Sequence, residues 1–160
     1  MEAIKEKTKE FTGIRPFKAS DMIWIVENGV KEFGLKILGN QQIKELAGVR
    51  EANGQCVTGV VNDEIVGCGG IDLLWEGVGE VWLMLSYEVN KYPIKTFEVI
   101  RDGLAKLIED NGLWRVQAWC RKEFIQAHTL FQHLGFKVEG IAKKYAADGV
   151  DCFLYAKVKD

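Results

Sequence analysis

Three β-rich runs follow one another between residues 55 and 88, and this stretch constrains the fold more than any other part of the sequence. The runs are QCVTGVV (55–61), EIVGCGGIDLLW (64–75) and VGEVWLMLSYE (78–88). Asn62 and Asp63 separate the first two, and both residue types tolerate the positive φ of a tight hairpin turn. Glu76 and Gly77 separate the second run from the third. The sequence therefore predicts an antiparallel meander of three strands.

From Pro93 onward the apolar period becomes helical. Proline suits the first helical position, where its missing N–H would have no partner, and Asn111-Gly112 provides a left-handed stop. The spacing predicts one helix with a single apolar stripe. The stripe consists of Ile94, Phe97, Ile100, Leu104, Leu107 and Ile108.

The remaining elements complete the predicted order. A short extended piece (13–17) precedes a helix for which Ser20 and Asp21 offer N-cap oxygens, and which extends to Val30. A second helical stretch runs from about Ile37 to Leu46. Further along, a strand (113–120), a helix that ends at Gly135, and two β runs (135–140 and 151–158) close the chain.

The order β-α-α-β-β-β-α-β-α-β-β predicts an α+β fold, a mixed α/β layer in which helices cover a mostly antiparallel sheet. At 160 residues without an internal linker, the chain is the size of one domain. We expect a flexible N-terminal arm over residues 1–10 and a single domain over residues 11–160.

Charge and cysteine usage narrow the class of protein. A formal charge of -2 offers no basic surplus for nucleic acid or an anionic membrane. No apolar run approaches the ~20 residues that span a bilayer, and the first ten residues lack the apolar core of a secretory signal. The four cysteines lie singly in apolar stretches, without metal-site or disulfide spacing. We therefore expect a soluble cytoplasmic protein with reduced, buried cysteines and no bound metal.

The last third of the chain carries a family resemblance. Six residues match the pattern A-x-x-L-Y-x-x-x-G-F-x-x-x-G, with phenylalanine in place of the tyrosine: Ala127, Leu130, Phe131, Gly135, Phe136 and Gly140. The chain thus resembles the GNAT superfamily of N-acetyltransferases, and the element order from Gly13 to Val158 is similar to that fold. The segment EVWLMLSYEVNKYPIKTF (80–97) most resembles divergent phage-encoded members, which also carry a proline and a threonine in place of a glycine-rich turn.

This resemblance implies that acetyl-CoA lies in a V-shaped gap between the two central strands. Its pantetheine would pair with the backbone of Leu85, Ser86 and Tyr87, and its pyrophosphate would lie at the start of the next helix. There the family usually has R/Q-x-x-G-x-G/A, whose glycines allow close approach to phosphate.

The corresponding turn in this chain lacks the arginine and both glycines. Lys91 and Lys95 can attract the pyrophosphate as point charges, while Ile94 and the Thr96 hydroxyl lie in the first helical turn. A lost hydrogen bond to a charged group costs about 1.5–3 kcal/mol, which weakens binding roughly ten- to a hundredfold without abolishing it. The alternative interpretation is that both lysines form a solvated helix start.

The resemblance also assigns the proton chemistry. Glu80 lies where family members often place a glutamate, and strand alternation puts it on one face with Trp82. We expect it to act as general base, or else to be a strand-start glutamate in solvent. The family's usual general acid, a tyrosine, is Phe131 here, which leaves Tyr87, Tyr145 or His128 to fill that role. We take Glu80 and Tyr87 as the candidate catalytic pair.

Two further residues are candidates for contact with the substrate. His128 lies next to an apolar helix stripe, and Tyr145 lies in a polar loop where such folds often admit substrate. For His128 a packing role is the alternative. The spacing of five between His128 and His133 places them on different helix faces and argues against a metal site.

The sequence is compatible with two functions. One is an acetyl-CoA-dependent N-acetyltransferase that acts on an amine, either a small molecule or a protein. The other is a catalytically inactive protein with the same fold that serves in binding or assembly, for example in a phage particle. Phe124 replaces an asparagine that family members commonly carry, and with Phe131 it would fill space that a cofactor needs. The oligomeric state, a homodimer included, is not determined by the sequence.

Overall fold

The computed structural model describes residues 10–29 and 39–160. The predicted arm lies outside this part except for Glu10. Val30, the predicted end of the first helix, and Ile37, the predicted start of the second, also lie outside it.

Seven strands of the described chain form one sheet in the order β1-β2-β3-β4-β5-β7-β6. Among these strands, β4 and β5 form the parallel pair, and the other neighbouring pairs are antiparallel. The predicted mostly antiparallel sheet is therefore confirmed. The strands are β1 (Gly13–Pro16), β2 (Cys56–Val61), β3 (Glu64–Trp75), β4 (Val78–Leu85), β5 (Arg115–Arg121), β6 (Lys137–Ala142) and β7 (Cys152–Val158).

Within the described residues, four α-helices accompany the sheet: α1 (Ala19–Asn28), α2 (Asn40–Asn53), α3 (Pro93–Asp110) and α4 (Ile125–His133). Pro93 is the first residue of α3, as predicted. None of the helices in residues 10–29 and 39–160 is long and apolar enough to cross a membrane.

Two local predictions were wrong. The N-cap of α1 is Lys18, and Asp21 lies in the first turn, where its Oδ2 accepts a hydrogen bond from the Lys18 amide at 3.0 Å. The third strand of the meander ends at Leu85 because Ser86 Oγ accepts a hydrogen bond from the Glu88 amide at 3.2 Å and starts a 3₁₀ helix, Tyr87–Asn90.

The turns of the meander are confirmed. Asn62 and Asp63 have φ values of 48° and 64°, as the hairpin between β2 and β3 requires. Gly77, at φ 76°, turns the chain between β3 and β4, and the Trp114 indole lies where a Cβ at Gly77 would be.

Helices cover both faces of the sheet. On one face, α1 and α2 pack over a core that includes Met22, Ala47 and Met84, with Trp82 at its margin. On the other face, α3 and α4 pack over a core that includes Leu104 and Phe136, with Val81 at its margin. Alternation along β4 therefore directs Glu80, Trp82 and Met84 toward α1 and α2, and Val81, Leu83 and Leu85 toward α3 and α4.

Candidate active site

The parallel strands β4 and β5 separate soon after they meet. They pair over three positions, Val78–Glu80 against Arg115–Gln117, and no further pairing is recorded between them in the described chain. Beyond Glu80 the described residues of the two strands are not paired with each other, which leaves a gap between β4 and β5.

One edge of β4 faces this gap with backbone groups that β3 does not use. The Ser86 amide donates to the Val66 carbonyl of β3 at 3.0 Å. Because successive residues of a strand direct their N–H and C=O to opposite sides, those of Leu83 and Leu85 point away from β3 and into the gap. A ligand in the gap can therefore pair with β4 as an additional strand.

The end of this edge is already occupied. Gly29 forms an isolated antiparallel bridge with Ser86, and a Cβ added at Gly29 would lie 2.9 Å from the Leu85 carbonyl oxygen. Ser86 is fully buried, and its Oγ donates to the Ile65 carbonyl at 2.6 Å. The backbone that remains open to a ligand is thus centred on Leu83, before the predicted segment at Leu85, Ser86 and Tyr87.

A groove of about 390 Å³ occupies the gap. Volumes of roughly 300–1,000 Å³ are usual for small-molecule sites. Phe124 and Phe131, which the sequence placed as obstacles, line the groove and leave it open. The other main lining side chains are Glu80, Trp82, Trp119 and Tyr145.

Acidic side chains lie side by side on the α1 and α2 side of the groove. Glu80 and Asp72 are opposite each other on β4 and β3. Asp72 is paired with Arg50 Nη2 at 3.3 Å, and the Arg50 guanidinium stacks 3.8 Å above the Trp82 ring. Among the described residues, half-buried Glu80 makes one hydrogen bond, accepted at Oε1 from Gln117 Nε2 at 3.4 Å. Such a long bond leaves the Glu80 carboxylate available to a ligand.

Tyr145, a candidate for contact with the substrate, lines the groove. Its ring stacks on Trp119 of β5, with ring centroids 4.4 Å apart and planes at 19°. The loop that carries it is fastened to β5 by Arg121, which donates to both Asp148 carboxylate oxygens at 3.0 and 2.6 Å. These hydrogen bonds also lower the pKa of Asp148. The two rings therefore form a flat aromatic surface at the groove.

His128 does not line the groove. Its Nε2 lies 3.0 Å from the Arg121 carbonyl and 3.1 Å from the Lys122 carbonyl, and its Nδ1 lies 2.7 Å from Tyr155 Oη. Because carbonyls accept and cannot donate, Nε2 carries the proton and Nδ1 accepts from the Tyr155 hydroxyl. His128 thus joins the turn before α4 to β7, which matches the packing alternative.

Tyr155 was not among the sequence-predicted site residues. It is 1% exposed, and its ring stacks on Phe131 with centroids 5.1 Å apart. Burial raises the pKa of its hydroxyl, which points at His128. Phe131 is therefore backed by a tyrosine whose hydroxyl donates to His128 and is not offered to the groove.

The first turn of α3 has unused donors. The Thr96 amide donates to the Tyr92 carbonyl at 2.9 Å, and the Tyr92 side chain makes no capping bond. The amides of Ile94 and Lys95 therefore have no protein partner in the described chain, as expected at a helix start. Thr96 Oγ1 is also unpaired, although the residue is only 4% exposed. The unpaired Ile94 and Lys95 amides are the donors that this turn offers to an anionic ligand, whereas the Thr96 hydroxyl is buried among protein atoms.

The two predicted lysines differ in their surroundings. Lys91 Nζ lies 2.7 Å from Glu88 and 3.5 Å from Glu64, and the hydrogen bond to Glu88 is the main cause of its raised pKa. Lys95 Nζ has one partner in the described chain, Glu98 at 3.5 Å, and is well exposed. Lys95 is thus the less compensated positive charge at this turn.

Tyr87 lies far from Glu80. It is 49% exposed, in the 3₁₀ helix that follows β4. At ~3.3 Å per residue, Glu80 and Leu85 are already roughly 16 Å apart. Glu80 and Tyr87 consequently do not meet at one reacting atom.

Other chemistry is sparse in the part of the chain that the structure describes. It contains no group of three or more histidine, cysteine, aspartate or glutamate side chains that could hold a metal ion. All four cysteines are free and buried.

Arg50, Asp72 and Trp119 were missed as site residues. Arg50 and Trp119 lie at least thirty residues from Glu80 in sequence, and Asp72 lies on the neighbouring strand β3; they reach the groove through sheet register or the fold of α2. No local motif marks them.

Comparison with known proteins places this geometry in a fold class. No protein-family model and no curated protein sequence matches the chain. Solved structures do match over nearly their whole length. They include a GNAT-family acetyltransferase from Bacillus anthracis, with 16% identity, a TM-score of 0.70, and coverage of 93% of this chain and 97% of that one.

Two further structures are similar. YncA from Salmonella typhimurium, determined with its cofactor acetyl-CoA, has 11% identity and a TM-score of 0.72, with 94% of this chain and 95% of that one covered. The ribosomal-protein-S5-alanine acetyltransferase from Vibrio fischeri has 18% identity and a TM-score of 0.68, with 96% and 98% covered. The chain therefore has the fold of GNAT acyl-CoA N-acyltransferases, as the sequence predicted.

Proposed function

We propose that this protein is an acetyl-CoA-dependent N-acetyltransferase that acts on an amine. One observation carries the proposal: the divergence of β4 and β5 leaves an open groove with unused β4 backbone. The uncapped start of α3, where the Ile94 and Lys95 amides have no partner in the described chain, gives independent support for an anionic ligand.

The groove and the start of α3 offer groups that match the two main parts of coenzyme A. The β4 backbone around Leu83 would pair with the pantetheine arm. The Ile94 and Lys95 amides and the Lys95 ammonium would hold the pyrophosphate. The Thr96 hydroxyl, a candidate from the sequence, is buried and would reach the pyrophosphate only after its neighbours move. Lys91 contributes less, because Glu88 and Glu64 already compensate its charge.

Acetyl-CoA would supply a thioester carbonyl open to attack by an amine. Glu80 is the candidate base: an amine with a pKa near 10.4 is mostly protonated at neutral pH and must lose a proton before it attacks. The leaving thiol, with a pKa near 8.5, departs without an obligatory acid. This fits a groove in which Phe131 replaces the usual tyrosine and the Tyr155 hydroxyl is bonded to His128.

The acceptor end suits a cationic amine. Glu80 and Asp72 attract an ammonium, and the stacked rings of Trp119 and Tyr145 offer a cation–π surface worth about 0.5–2 kcal/mol. The name of the Vibrio relative specifies a ribosomal-protein alanine, so a protein amine belongs among the acceptors to be tested.

Three finer points belong to this proposal. The Pro93–Thr96 turn supports a likeness to divergent phage-encoded members. Four free, buried cysteines support a reducing compartment such as the cytoplasm. The inactive binding protein is less well supported, because Phe124 and Phe131 leave the groove open.

Titration calorimetry of the purified protein with acetyl-CoA tests the proposal. We expect binding, and we expect Lys95→Glu to weaken it about tenfold, equivalent to ~1.4 kcal/mol, with the difference shrinking at high salt. Lys91→Glu should weaken it less. Lys44→Glu, on α2, is the matched charge-reversal control and should bind like the parent protein. No heat at millimolar acetyl-CoA would overturn the proposal.

A further inference from the structure

A second, apolar space lies between the sheet and α3. It has a volume of about 60 Å³. Its lining consists of glycines and apolar side chains of β2, β3, β4, α3 and α4. An apolar cavity of this kind does not hold ordered water, because water needs several polar partners there.

Glycines form part of the wall of this space. Gly59, Gly67 and Gly69 of β2 and β3 lie on the side of the sheet that faces α3, since Gly59 is opposite Gly67, and Gly69 is opposite Leu83. Gly103 faces them from α3, and a Cβ there would lie 3.3 Å from Ile14 Cγ2 and 3.4 Å from Val57 Cγ2. Gly67 and Gly69 allow a close backbone approach, because Cβ atoms added to them would meet backbone oxygens at 2.5 and 2.9 Å.

The cavity adjoins the groove. Val81 and Leu83 of β4 and Leu130 and Phe131 of α4 line both spaces. These shared side chains form the boundary between the groove and the cavity, beside the open β4 backbone. An acyl chain that extends from the groove toward α3 would pass between them to enter the cavity.

We propose that this cavity receives the acyl chain of the donor and that the protein uses short-chain acyl-CoA, propionyl- or butyryl-CoA, in preference to acetyl-CoA. This inference rests on the proposed function and specifies its donor. An apolar cavity of about 150 Å³ accommodates benzene, with six carbons, so 60 Å³ suits about two carbons beyond acetyl. The apolar lining and the lack of polar partners fit a hydrocarbon chain.

Calorimetric titration with acetyl-, propionyl-, butyryl- and octanoyl-CoA tests the inference. Each additional buried methylene should tighten binding about fourfold, equivalent to ~0.8 kcal/mol, up to butyryl-CoA. Octanoyl-CoA, which is too long for the cavity, should bind more weakly than butyryl-CoA. Kd values for butyryl- and acetyl-CoA should thus differ by about tenfold or more.

Cavity-filling variants supply the control. Gly103→Ala adds a methyl group to the inner wall and should reduce the preference for butyryl-CoA at least fourfold while the Kd for acetyl-CoA stays the same. Gly48→Ala on α2, where an added Cβ meets nothing within 4 Å, is the matched control and should leave both values unchanged. If Gly103→Ala does not fold, Val57→Ile fills the same space from β2.

The outcomes separate the two proposals. Binding of acetyl-CoA as tight as or tighter than that of butyryl-CoA, or an unchanged preference in the filled variants, overturns the inference and leaves the proposed function standing. Absence of binding by every thioester overturns both. A butyryl preference that the filled variants lose supports the inference.

Discussion

At the scale of single residues, Glu80 illustrates how position in the sheet defines a role. It is the last β4 residue paired with β5, so its side chain lies where the strands begin to diverge. Gln117 approaches it from β5, Asp72 lies beside it on β3, and the aromatic surface of Trp119 and Tyr145 belongs to the same groove. A carboxylate in this place can receive a proton from an amine that enters the groove.

We predict that Glu80→Gln lowers kcat/KM by about 10²–10⁴-fold with any accepted amine, because glutamine cannot take up a proton. Steady-state kinetics with one amine at a fixed pH measures this loss. Glu76→Gln, in the exposed turn between β3 and β4, is the matched control and should retain the parent kcat/KM. An undiminished kcat/KM in Glu80→Gln would assign the base elsewhere.

At the scale of elements, Asp21 fixes α1 to the sheet. Its carboxylate receives hydrogen bonds from Arg15 of β1 at 2.7 and 2.8 Å and from Thr58 of β2 at 2.7 Å. Burial alone would raise the pKa of Asp21, but the hydrogen bonds from Arg15, Thr58 and the Lys18 amide outweigh burial and lower it. One side chain thus links a helix to two strands.

We predict that Asp21→Asn lowers the free energy of unfolding by about 2–3 kcal/mol, because the partly buried Arg15 guanidinium loses its countercharge. The pKa of Asp21 is lower in the folded protein than in the unfolded chain. Its stabilising contribution is therefore complete above about pH 4 and is lost as the pH falls through the folded value. Urea denaturation from pH 7 to pH 2.5 should show this loss in the parent protein and not in Asp21→Asn.

Asp102→Asn, at an exposed aspartate of α3, is the control for this prediction. It should stay within about 0.5 kcal/mol of the parent protein at each pH, as surface substitutions usually do. Equal acid sensitivity of Asp21→Asn and the parent protein would contradict the role assigned to Asp21.

At the scale of the whole molecule, buried cysteines lie in both hydrophobic cores. Cys56 and Cys68 belong to the core beneath α1 and α2, and Cys120 to the core beneath α3 and α4. Burial raises the pKa of Cys56 and of Cys120 to about 11, and it also raises the pKa of Cys68 and Cys152. Because the thiolate is the reactive form, the folded protein should resist thiol reagents.

We predict that a thiol reagent at pH 8 labels the folded protein more than a hundredfold more slowly than a free cysteine, and labels all four thiols in denaturant. Labelling followed by mass spectrometry measures both rates. Gln126→Cys, at an exposed position of α4, should label at the rate of a free thiol and serves as the internal control. Rapid labelling of a native cysteine in the folded protein would contradict the burial described here.

Much of the architecture was predictable because its signals are local. The spacing of apolar residues predicts whether a segment is a helix or a strand. Turns and helix starts are predicted by single residues such as Asn62, Asp63, Gly77 and Pro93, and the predicted element order is confirmed. The end of β4 was mispredicted because the Ser86 side chain caps a 3₁₀ turn, and a hydrophobic pattern does not register such a bond.

The candidate site was less predictable, because its parts meet only through long-range pairing. The sequence by itself determined the strands, the helices and the alternation that puts Glu80 and Trp82 on one face, since these follow from the chain's local stereochemistry and apolar period. The tertiary structure alone decided that Asp72 and Arg50 join Glu80, that His128 is bonded to Tyr155, and that glycines of separate strands enclose a cavity. These outcomes depend on strand register and helix packing, which bring together residues that no local pattern relates.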